Sequence, residues 1–264
     1  MLGPYLGQEP PSLTPRIFAP GNVSDSRFFE YCGTFSPDGN EYYFNRFYED
    51  STSTLLVTKS IDGRWTAPEP CSFSDGYSAS EPHLAFDDQR LYFMWKRTVQ
   101  SGEPGYMEDA KYYFVERTSD GWSDPVYAGQ GMFMTSSRDG QLYTTDMSSR
   151  KSDRRTYLAA VATENGVFTG YDRLEINPRY GFQAHPCIAP DGSYLLFDVN
   201  GGEYLYVSFR NSDGTWGEAI DLTEHGFDPS AGGACVSPDG KYLFFALDGD
   251  IWWVDIDVIE RLRP

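Results

Sequence analysis

Four acidic residues lie beside short apolar runs, where they could act on a bound ligand: Glu30, Glu81, Asp146 and Asp198. Pairs of carboxyl groups carry out glycoside hydrolysis, at separations of about 5 to 5.5 Å for retention and about 6.5 to 9.5 Å for inversion of configuration. If the protein is an enzyme, these four residues are therefore the candidate catalytic set.

Two of the three histidines, His83 and His185, precede the turns of predicted inner hairpins. They are candidate ligand contacts, although each could instead be a buried histidine held by the backbone of a neighbouring strand. The sequence contains no nucleophile elbow, zinc-protease helix, phosphate-binding loop or calcium-binding loop. None of the four cysteines has the spacing of a zinc ligand. We therefore predict no metal and no cofactor.

Two predicted loops carry further candidates for ligand binding. The first, Met94 to Asp109, is long, as functional loops on a rigid scaffold often are. A disordered loop without a function would have the same length and composition. The second, Asp146 to Arg154, is basic in an otherwise acidic chain and could bind an anionic group. It could also be a solvated loop whose charges balance nearby aspartates. With the two histidines, the predicted ligand-binding set is His83, His185, Trp95, Arg97, Tyr106, Arg150 and Arg154.

The elements that must position these residues come from a repeat. Asp-Gly or a similar turn between two β-patterned runs recurs five times, and such turns are a strong hairpin signal. The turn aspartates are spaced 50, 51, 52 and 48 residues apart, at Asp38, Asp88, Asp139, Asp191 and Asp239. Self-similarity at this period is typical of propeller or solenoid arrays.

Each unit continues with a third strand, an Asn/Asp-Gly turn and a fourth strand, and four strands per unit of this length form a propeller blade. The last unit ends without a fourth strand, while Leu13 to Gly21 resembles the fourth strands elsewhere. The sequence therefore predicts an all-β, five-bladed β-propeller of four-stranded antiparallel blades, closed by the N-terminal strand. We expect one domain over residues 1–264, with blades at approximately 31–76, 77–130, 131–181, 182–230, and 231–264 plus 13–21.

The Ser-Pro-Asp-Gly turns at residues 36–39 and 237–240 and the Ala-Pro-Asp-Gly turn at 189–192 resemble TolB-type, WD-like propeller repeats. Asp87-Asp88-Gln89 and Arg138-Asp139-Gly140 depart from that pattern. The resemblance covers about the whole chain and implies the propeller fold. It implies little about function, since such propellers serve protein binding, glycan binding and occasional catalysis.

The net charge of −18 argues against nucleic acid and anionic membranes as partners. No apolar run approaches the ~20 residues that span a bilayer, and the N-terminus does not look like a signal peptide. We expect a soluble monomer, periplasmic or secreted if a signal was removed and otherwise cytoplasmic. The predicted function is non-catalytic binding of a glycan, a small polar ligand or a protein segment in the central depression; the alternative is a carbohydrate-active enzyme.

Overall fold

The computed structural model describes residues 1–50, 52–74, 78–96, 111–148, 155–176, 182–200 and 202–264. Strand makes up 53% and helix 6% of the protein, which confirms the all-β class, and the strands form five antiparallel blades. The predicted five-bladed β-propeller is therefore correct. Within the described residues, no helix has the length and apolar character that crossing a bilayer would require.

The strands follow one another blade by blade. In chain order they are β1 (Arg16–Ile17), β2 (Phe29–Phe35), β3 (Glu41–Phe47), β4 (Ser53–Ile61), β5 (Arg64–Trp65), β6 (Glu69–Pro70), β7 (Ser78–Leu84), β8 (Arg90–Lys96), β9 (Lys111–Thr118), β10 (Gly121–Trp122), β11 (Val126–Gln130), β12 (Met132–Ser136), β13 (Leu142–Asp146), β14 (Tyr157–Glu164), β15 (Val167–Arg173), β16 (Gln183–Ile188), β17 (Tyr194–Val199), β18 (Glu203–Phe209), β19 (Ile220–Asp221), β20 (Gly232–Val236), β21 (Tyr242–Leu247) and β22 (Asp250–Asp255). Short helical turns lie at Pro4–Gly7, Ser72–Ser74, Leu222–His225 and Asp257–Glu260.

Blades 1 to 5 consist of β2–β6, β7–β11, β12–β15, β16–β19, and β20–β22 with β1. The fourth strand of blades 1 and 2 is split into two pieces, both paired with the third strand. Within each blade, the first strand is the inner one and the fourth lies at the outer edge.

The inner hairpins form because their turn aspartates satisfy the turn backbone. In blade 1, Ser36 Oγ donates to Asp38 Oδ1 (2.6 Å), and the Asn40 N–H donates to the same oxygen (3.0 Å). Gly39 supplies the positive φ of 73° that the turn requires. The same serine–aspartate contact recurs at Ser137–Asp139 and Ser237–Asp239. These aspartates are therefore structural.

The core lies between neighbouring blades, where aromatic side chains of facing sheets interlock. Between blades 5 and 1, Phe18 makes edge-to-face contacts with Tyr42, Phe244 and Trp253 at centroid distances of 5.4, 5.0 and 5.3 Å. All four rings are almost completely buried. Phe18 comes from the N-terminal segment, so this part of the core depends on residues from both ends of the chain.

The predicted closure of the ring is confirmed. Strand β1 pairs antiparallel with β22, through Arg16 opposite Trp253 and Ile17 opposite Trp252. The Phe18 N–H also donates to the carbonyl of Ile251 (2.7 Å). The edge of blade 5 is thereby covered, as closed propellers require.

We expect Phe18→Ala to lower the free energy of unfolding by about 3 to 5 kcal/mol, since it empties a fully buried site between blades 5 and 1. Leu13→Ala is the matched control, because Leu13 lies in the same segment but is 42% exposed. Its effect should stay within about 0.5 kcal/mol. Urea unfolding of the two variants measures the difference, and similar losses would contradict a closure anchored by Phe18.

Candidate functional site

A β-bulge interrupts the inner strand of every blade. The pairing register shifts after Glu30, Ser80, Met132, Ala184 and Gly232. The residues that follow occupy equivalent places, and they are Tyr31, Glu81, Phe133, His185 and Gly233. The last four have left-handed backbones, with φ between 48° and 59°. Bulges of this kind redirect a side chain out of the regular alternation.

These redirected side chains meet on the propeller axis. Tyr31 of blade 1 contacts Phe133 of blade 3 and His185 of blade 4, at ring-centroid distances of 6.3 and 5.6 Å. The rings of Phe133 and His185 lie 5.1 Å apart. Side chains from three blades can meet in this way only at the centre of the ring. With the nearby carboxyl groups they form the axial cluster: Tyr31, Glu81, Phe133, His185 and Asp198.

His185 is held from one side of its ring. Its Nδ1 lies 2.8 Å from Asp198 Oδ2 and 2.9 Å from the hydroxyl of Tyr31. Nε2, on the other side of the ring, has no hydrogen-bond partner within the described part of the chain. The neighbours therefore fix the ring and leave the Nε2 edge for a ligand.

Bulge N–H groups donate to side chains of the preceding blade. The Phe133 N–H donates to Glu81 Oε2 (2.7 Å), the His185 N–H to Thr145 Oγ1 (3.0 Å), and the Gly233 N–H to Asp198 Oδ2 (2.9 Å). Tyr112 Oη also donates to Glu81 Oε2 (2.9 Å). Glu81 and Asp198 thus link blades as well as facing the axis.

The protonation states in the cluster are coupled. Burial raises the pKa of Glu81 and of Asp198, although His185 and the N–H donors oppose this. For His185, burial disfavours the charged ring, but the carboxylate of Asp198, with Glu81 behind it, outweighs burial and raises the pKa. The imidazolium of His185 is therefore favoured beside Asp198.

His83 lies at a different depth on the same axis. It lines a cavity of about 40 Å³ towards the turn end of the channel, and its Nε2 lies 2.8 Å from Ser136 Oγ. Burial lowers its pKa to about 3. Phe133 lines this cavity, and its ring lies 5.1 Å from that of His185. Burial therefore favours the neutral form of His83, whereas Asp198 favours the charged form of His185.

The departure from the turn pattern at Arg138 has a structural reason. Its Nη2 donates to the carbonyl of Pro238 (2.5 Å), and its guanidinium lies over the ring of Phe86. Phe86 and Pro238 line the cavity that holds His83. Arg138 therefore spans from blade 3 to blades 2 and 5 at the turn end of the channel.

Two of the four candidate carboxylates are not in the axial cluster. Glu30 Oε1 pairs with Arg46 Nε (2.5 Å), and Asp146 Oδ2 pairs with Arg173 Nε (2.7 Å). Burial would raise the pKa of Asp146, but Ser148 and Arg173 outweigh burial and lower it. Both residues are buried and are held by arginines of their own blades, Arg46 on the adjacent strand β3 and Arg173 on β15, two strands from β13.

Trp95, one of the predicted ligand contacts, is buried and not available to a ligand. Strand β8 extends through Lys96, so Trp95 shares a face with Leu91 and Phe93 and is buried between blades 1 and 2. Its ring packs edge-to-face on Tyr113, 5.3 Å away. Four other candidate residues lie outside the described residues: Arg97, Tyr106, Arg150 and Arg154.

The aromatic side of the site was not predicted from the sequence. The ring of Phe29 stacks on Tyr31 at 6.3 Å and meets the edge of Phe47 at 5.6 Å. Phe29 is 46% exposed and Tyr31 partly so. These three residues form the aromatic strip, which leads from the surface to His185. Aligning the repeats on Glu81 and His185 would have pointed to Tyr31.

Within the part of the chain that the structure describes, no group of three or more His, Cys, Asp or Glu side chains could hold a metal ion. The cluster instead offers a fixed imidazole edge, partly buried aromatic faces and carboxyl groups that are already hydrogen-bonded. This arrangement suits recognition of a polar ligand.

Comparison with known proteins supports the fold. No protein-family model matches the sequence. No curated protein matches it. Among solved structures, a putative TolB from Agrobacterium tumefaciens is 17% identical over 88% of this chain and 78% of its own, with a TM-score of 0.54. A gluconolactonase from Xanthomonas campestris is 15% identical over 96% of this chain and 97% of its own, with a TM-score of 0.50.

A structure of a nidogen/laminin complex also matches, at 12% identity over 87% of this chain and 76% of its own, with a TM-score of 0.51. At these identities the likeness shows the propeller fold alone. The resemblance to propeller repeats is thus supported, while membership of the TolB group specifically is not shown.

We expect the two axial histidines to give opposite pH dependence. Because the pKa of His83 is about 3 in the folded state, the unfolded chain binds the extra proton, and the free energy of unfolding falls as pH drops below 6.5. The pKa of His185 is raised above 6.5, so its stabilisation is complete below that pH and is lost as pH rises through the folded-state value. Each slope reaches at most about 1.4 kcal/mol per pH unit.

Urea unfolding of the wild type, His83→Gln and His185→Gln between about pH 5 and about pH 8 measures these slopes. The stability difference between wild type and His83→Gln should grow more favourable with rising pH up to 6.5. The difference for His185→Gln should grow less favourable above 6.5. Slopes of the same sign would contradict the assigned environments.

Proposed function

We propose that the protein is a binding module that takes a polar ligand with flat apolar faces, such as a glycan or a protein segment, at the axis. The observation that carries the proposal is the Nε2 edge of His185, which lacks a partner within the described residues and lies at the inner end of the aromatic strip. A fixed polar group beside aromatic faces is the usual composition of a selective pocket.

The aromatic strip supplies the apolar contact. The rings of Phe29 and Tyr31 are stacked, 12° from parallel. Phe29 is 46% exposed, so the outer end of the strip is open to a ligand. Sugar rings and peptide side chains carry apolar faces with polar edges that suit such a surface. The exposed part of the strip would hold the ligand, while its inner end leads the ligand to His185.

His185 supplies the directional contact. Its raised pKa favours the imidazolium, in which both ring nitrogens donate. Nδ1–H is occupied by Asp198, so Nε2–H would donate to a hydroxyl, carbonyl or carboxylate oxygen of the ligand. A donor of this kind favours a ligand that presents an oxygen at its inner end. That Arg97, Arg150 and Arg154 complete an anionic subsite remains a prediction from the sequence.

A carbohydrate-active enzyme is the second candidate, and Glu81 is the observation that favours it. Burial raises its pKa, as a general acid requires. Against this role, Oε2 of Glu81 already accepts from Phe133 N–H and Tyr112 Oη. Glu81 and His185 are 6% and 4% exposed, so burial does not distinguish the two roles. The distinction is that the Glu81 carboxyl group already accepts two hydrogen bonds, whereas His185 Nε2 has no partner among the described residues. Binding is therefore the better supported function.

We expect Phe29→Ala to weaken binding by about tenfold or more while leaving the melting temperature unchanged, because Phe29 is an exposed anchor of the strip. The measurement is a glycan array on purified protein, followed by calorimetric titration of the best ligand. Tyr127→Ala is the matched control, since Tyr127 is an aromatic residue with the same 46% exposure on the outer edge of blade 2.

Equal affinities of the two variants would place the ligand away from the strip. For the second candidate, we expect no release of 4-nitrophenol from a panel of 4-nitrophenyl glycosides by the wild type. Turnover that is lost in Glu81→Gln and kept in Glu30→Gln would instead establish an enzyme and overturn the binding proposal.

A further inference from the structure

A second pocket, of about 370 Å³, lies at the turn end of the inner strands, whereas the bulges of the axial cluster lie at their other end. Its walls come from the inner hairpin turns of blades 1 and 5, from the hairpin that joins β4 to β5, and from the N-terminal segment. We call it the turn-end pocket, and its chemistry comes from Tyr5, Phe35, Asp38, Trp65 and Asp239. Small-molecule sites have volumes of about 300 to 1,000 Å³, so this pocket is large enough for a compact organic ligand.

The N-terminal wall of the pocket is fixed by contacts with the β4–β5 hairpin. The Gly3 N–H donates to the carbonyl of Gly63 (3.2 Å). The Trp65 N–H donates to the carbonyl of Met1 (2.9 Å), and Trp65 Nε1 donates to the carbonyl of Gly3 (2.7 Å). Leu6 is completely buried, which anchors the segment. The wall is therefore formed before any ligand binds, which reduces the entropy that binding would cost.

Aromatic rings line this pocket in fixed positions. Tyr5 meets the ring of Phe35 edge-on at a centroid distance of 5.5 Å and the ring of Tyr242 at 4.9 Å. Phe35 and Trp65 are buried, whereas Tyr5 is only partly so and offers accessible surface at the pocket. A ring face attracts a cation placed within about 6 Å of its centroid, and it also packs on flat apolar groups. The pocket can therefore hold a ligand that has both features.

The charge of the pocket comes from two turn aspartates. Burial opposes the ionised form of Asp38, but hydrogen bonds from Ser36 and Asn40 outweigh burial and lower the pKa of the carboxyl group. Asp239 pairs with Lys241 at 3.1 Å, whereas Asp38 has no ion-pair partner among the described residues. The residues that line the pocket all lie in the described part of the chain, and none of them is Lys, Arg or His. The carboxylate of Asp38 is thus left without a cation at the pocket wall.

This lining selects among the classes of ligand. An anion would be repelled, since it would approach Asp38 and Asp239 with no cationic side chain of the pocket to receive it. A metal ion would lack ligands, because the described part of the chain holds no group of three or more His, Cys, Asp or Glu side chains suited to one. An ammonium group with a flat apolar body meets both the carboxylate and the rings.

We propose that the turn-end pocket binds a small organic ammonium ion with a flat apolar body. The Asp38 carboxylate balances the ammonium charge, while Tyr5 packs on the apolar body. The net charge of the chain, −18, speeds the approach of such a cation. The pocket shares no residue with the axial cluster or the aromatic strip, so the proposal does not depend on the function proposed there.

The probe is phenethylamine, which is protonated at neutral pH, and phenethyl alcohol is its neutral counterpart of nearly the same shape. Titration followed by saturation-transfer NMR, up to about 10 mM ligand, measures both affinities. We expect the wild type to bind the amine about fivefold or more tightly than the alcohol, since a partly exposed ion pair contributes on this scale. Added salt should reduce this preference.

Asp38→Asn removes the charge and keeps an oxygen that accepts the turn hydrogen bonds. Asp139→Asn is the matched control, because Asp139 accepts the same bonds from Ser137 Oγ and the Gln141 N–H in blade 3 but does not line the pocket. We expect Asp38→Asn to weaken phenethylamine binding by about fivefold or more and Asp139→Asn to leave it unchanged. Ser60→Lys places a positive charge at the pocket wall and should abolish binding, so it decides if Asp38→Asn does not fold.

Three outcomes would overturn the proposal. They are failure of the wild type to bind the amine in this range, equal affinity for the amine and the alcohol, and equal affinity of Asp38→Asn and Asp139→Asn for the amine. Phe29→Ala separates the pocket from the aromatic strip, and we expect it to keep the wild-type affinity for the amine. Loss in Phe29→Ala together with normal binding in Asp38→Asn would place the probe on the strip and would also overturn the proposal.

Discussion

The hydrogen bonds between bulge N–H groups and side chains of the preceding blade are the interactions on which the rest of the structure depends. Glu81, Thr145 and Asp198 each receive such a bond. A hydrogen bond to the carboxylate of Glu81 or Asp198 is worth about 1.5 to 3 kcal/mol and one to the hydroxyl of Thr145 about 0.5 to 1.5 kcal/mol, against a cost of about 1 to 3 kcal/mol for a strained backbone residue. The left-handed residues on the axis therefore persist because the neighbouring blade stabilises them.

This coupling explains why the pKa values of His83 and His185 shift in opposite directions although both residues lie on inner strands. His185 stands at a bulge, where its ring meets Asp198, which also receives the next blade's N–H. His83 stands two residues past the equivalent bulge position, where Ser136 is the one hydrogen-bond partner of its ring among the described residues. In an interior of low dielectric, a single carboxylate is enough to decide whether an imidazole is charged.

The fold could be predicted because its signals are local and repeated. Five turns with aspartate or a similar residue at a nearly constant period leave few architectures open, and the missing fourth strand pointed to β1. The site could be predicted only in part. Glu81, His185 and Asp198 do meet, but a register shift of one residue determines which side chains face the axis, and sequence alternation does not reveal it.

Trp95 shows the same limit from the other side. Strand β8 continues past the apolar residues that the sequence suggests as its core, and its side chains keep alternating between the two faces. Trp95 therefore lies with Phe93 between the blades. Glu30 and Asp146 were good candidates by position, but each has an arginine partner in its own blade. Pairings of this kind depend on register and rotamer, which the sequence does not display.

The joining of the two chain ends in blade 5 has a consequence for biogenesis. Ser24 and Ile251, which are 227 positions apart, share a buried hydrogen bond beside the β1–β22 pair. Contacts between residues so far apart in the sequence form late in folding, because closing the loop between them costs conformational entropy before the contacts add stability. During synthesis the first four blades can collapse in order on the ribosome, whereas β1 in the N-terminal segment stays unpaired until β22 has been made. Chaperones that shield an unpaired strand would therefore act on this segment until translation of blade 5 is complete.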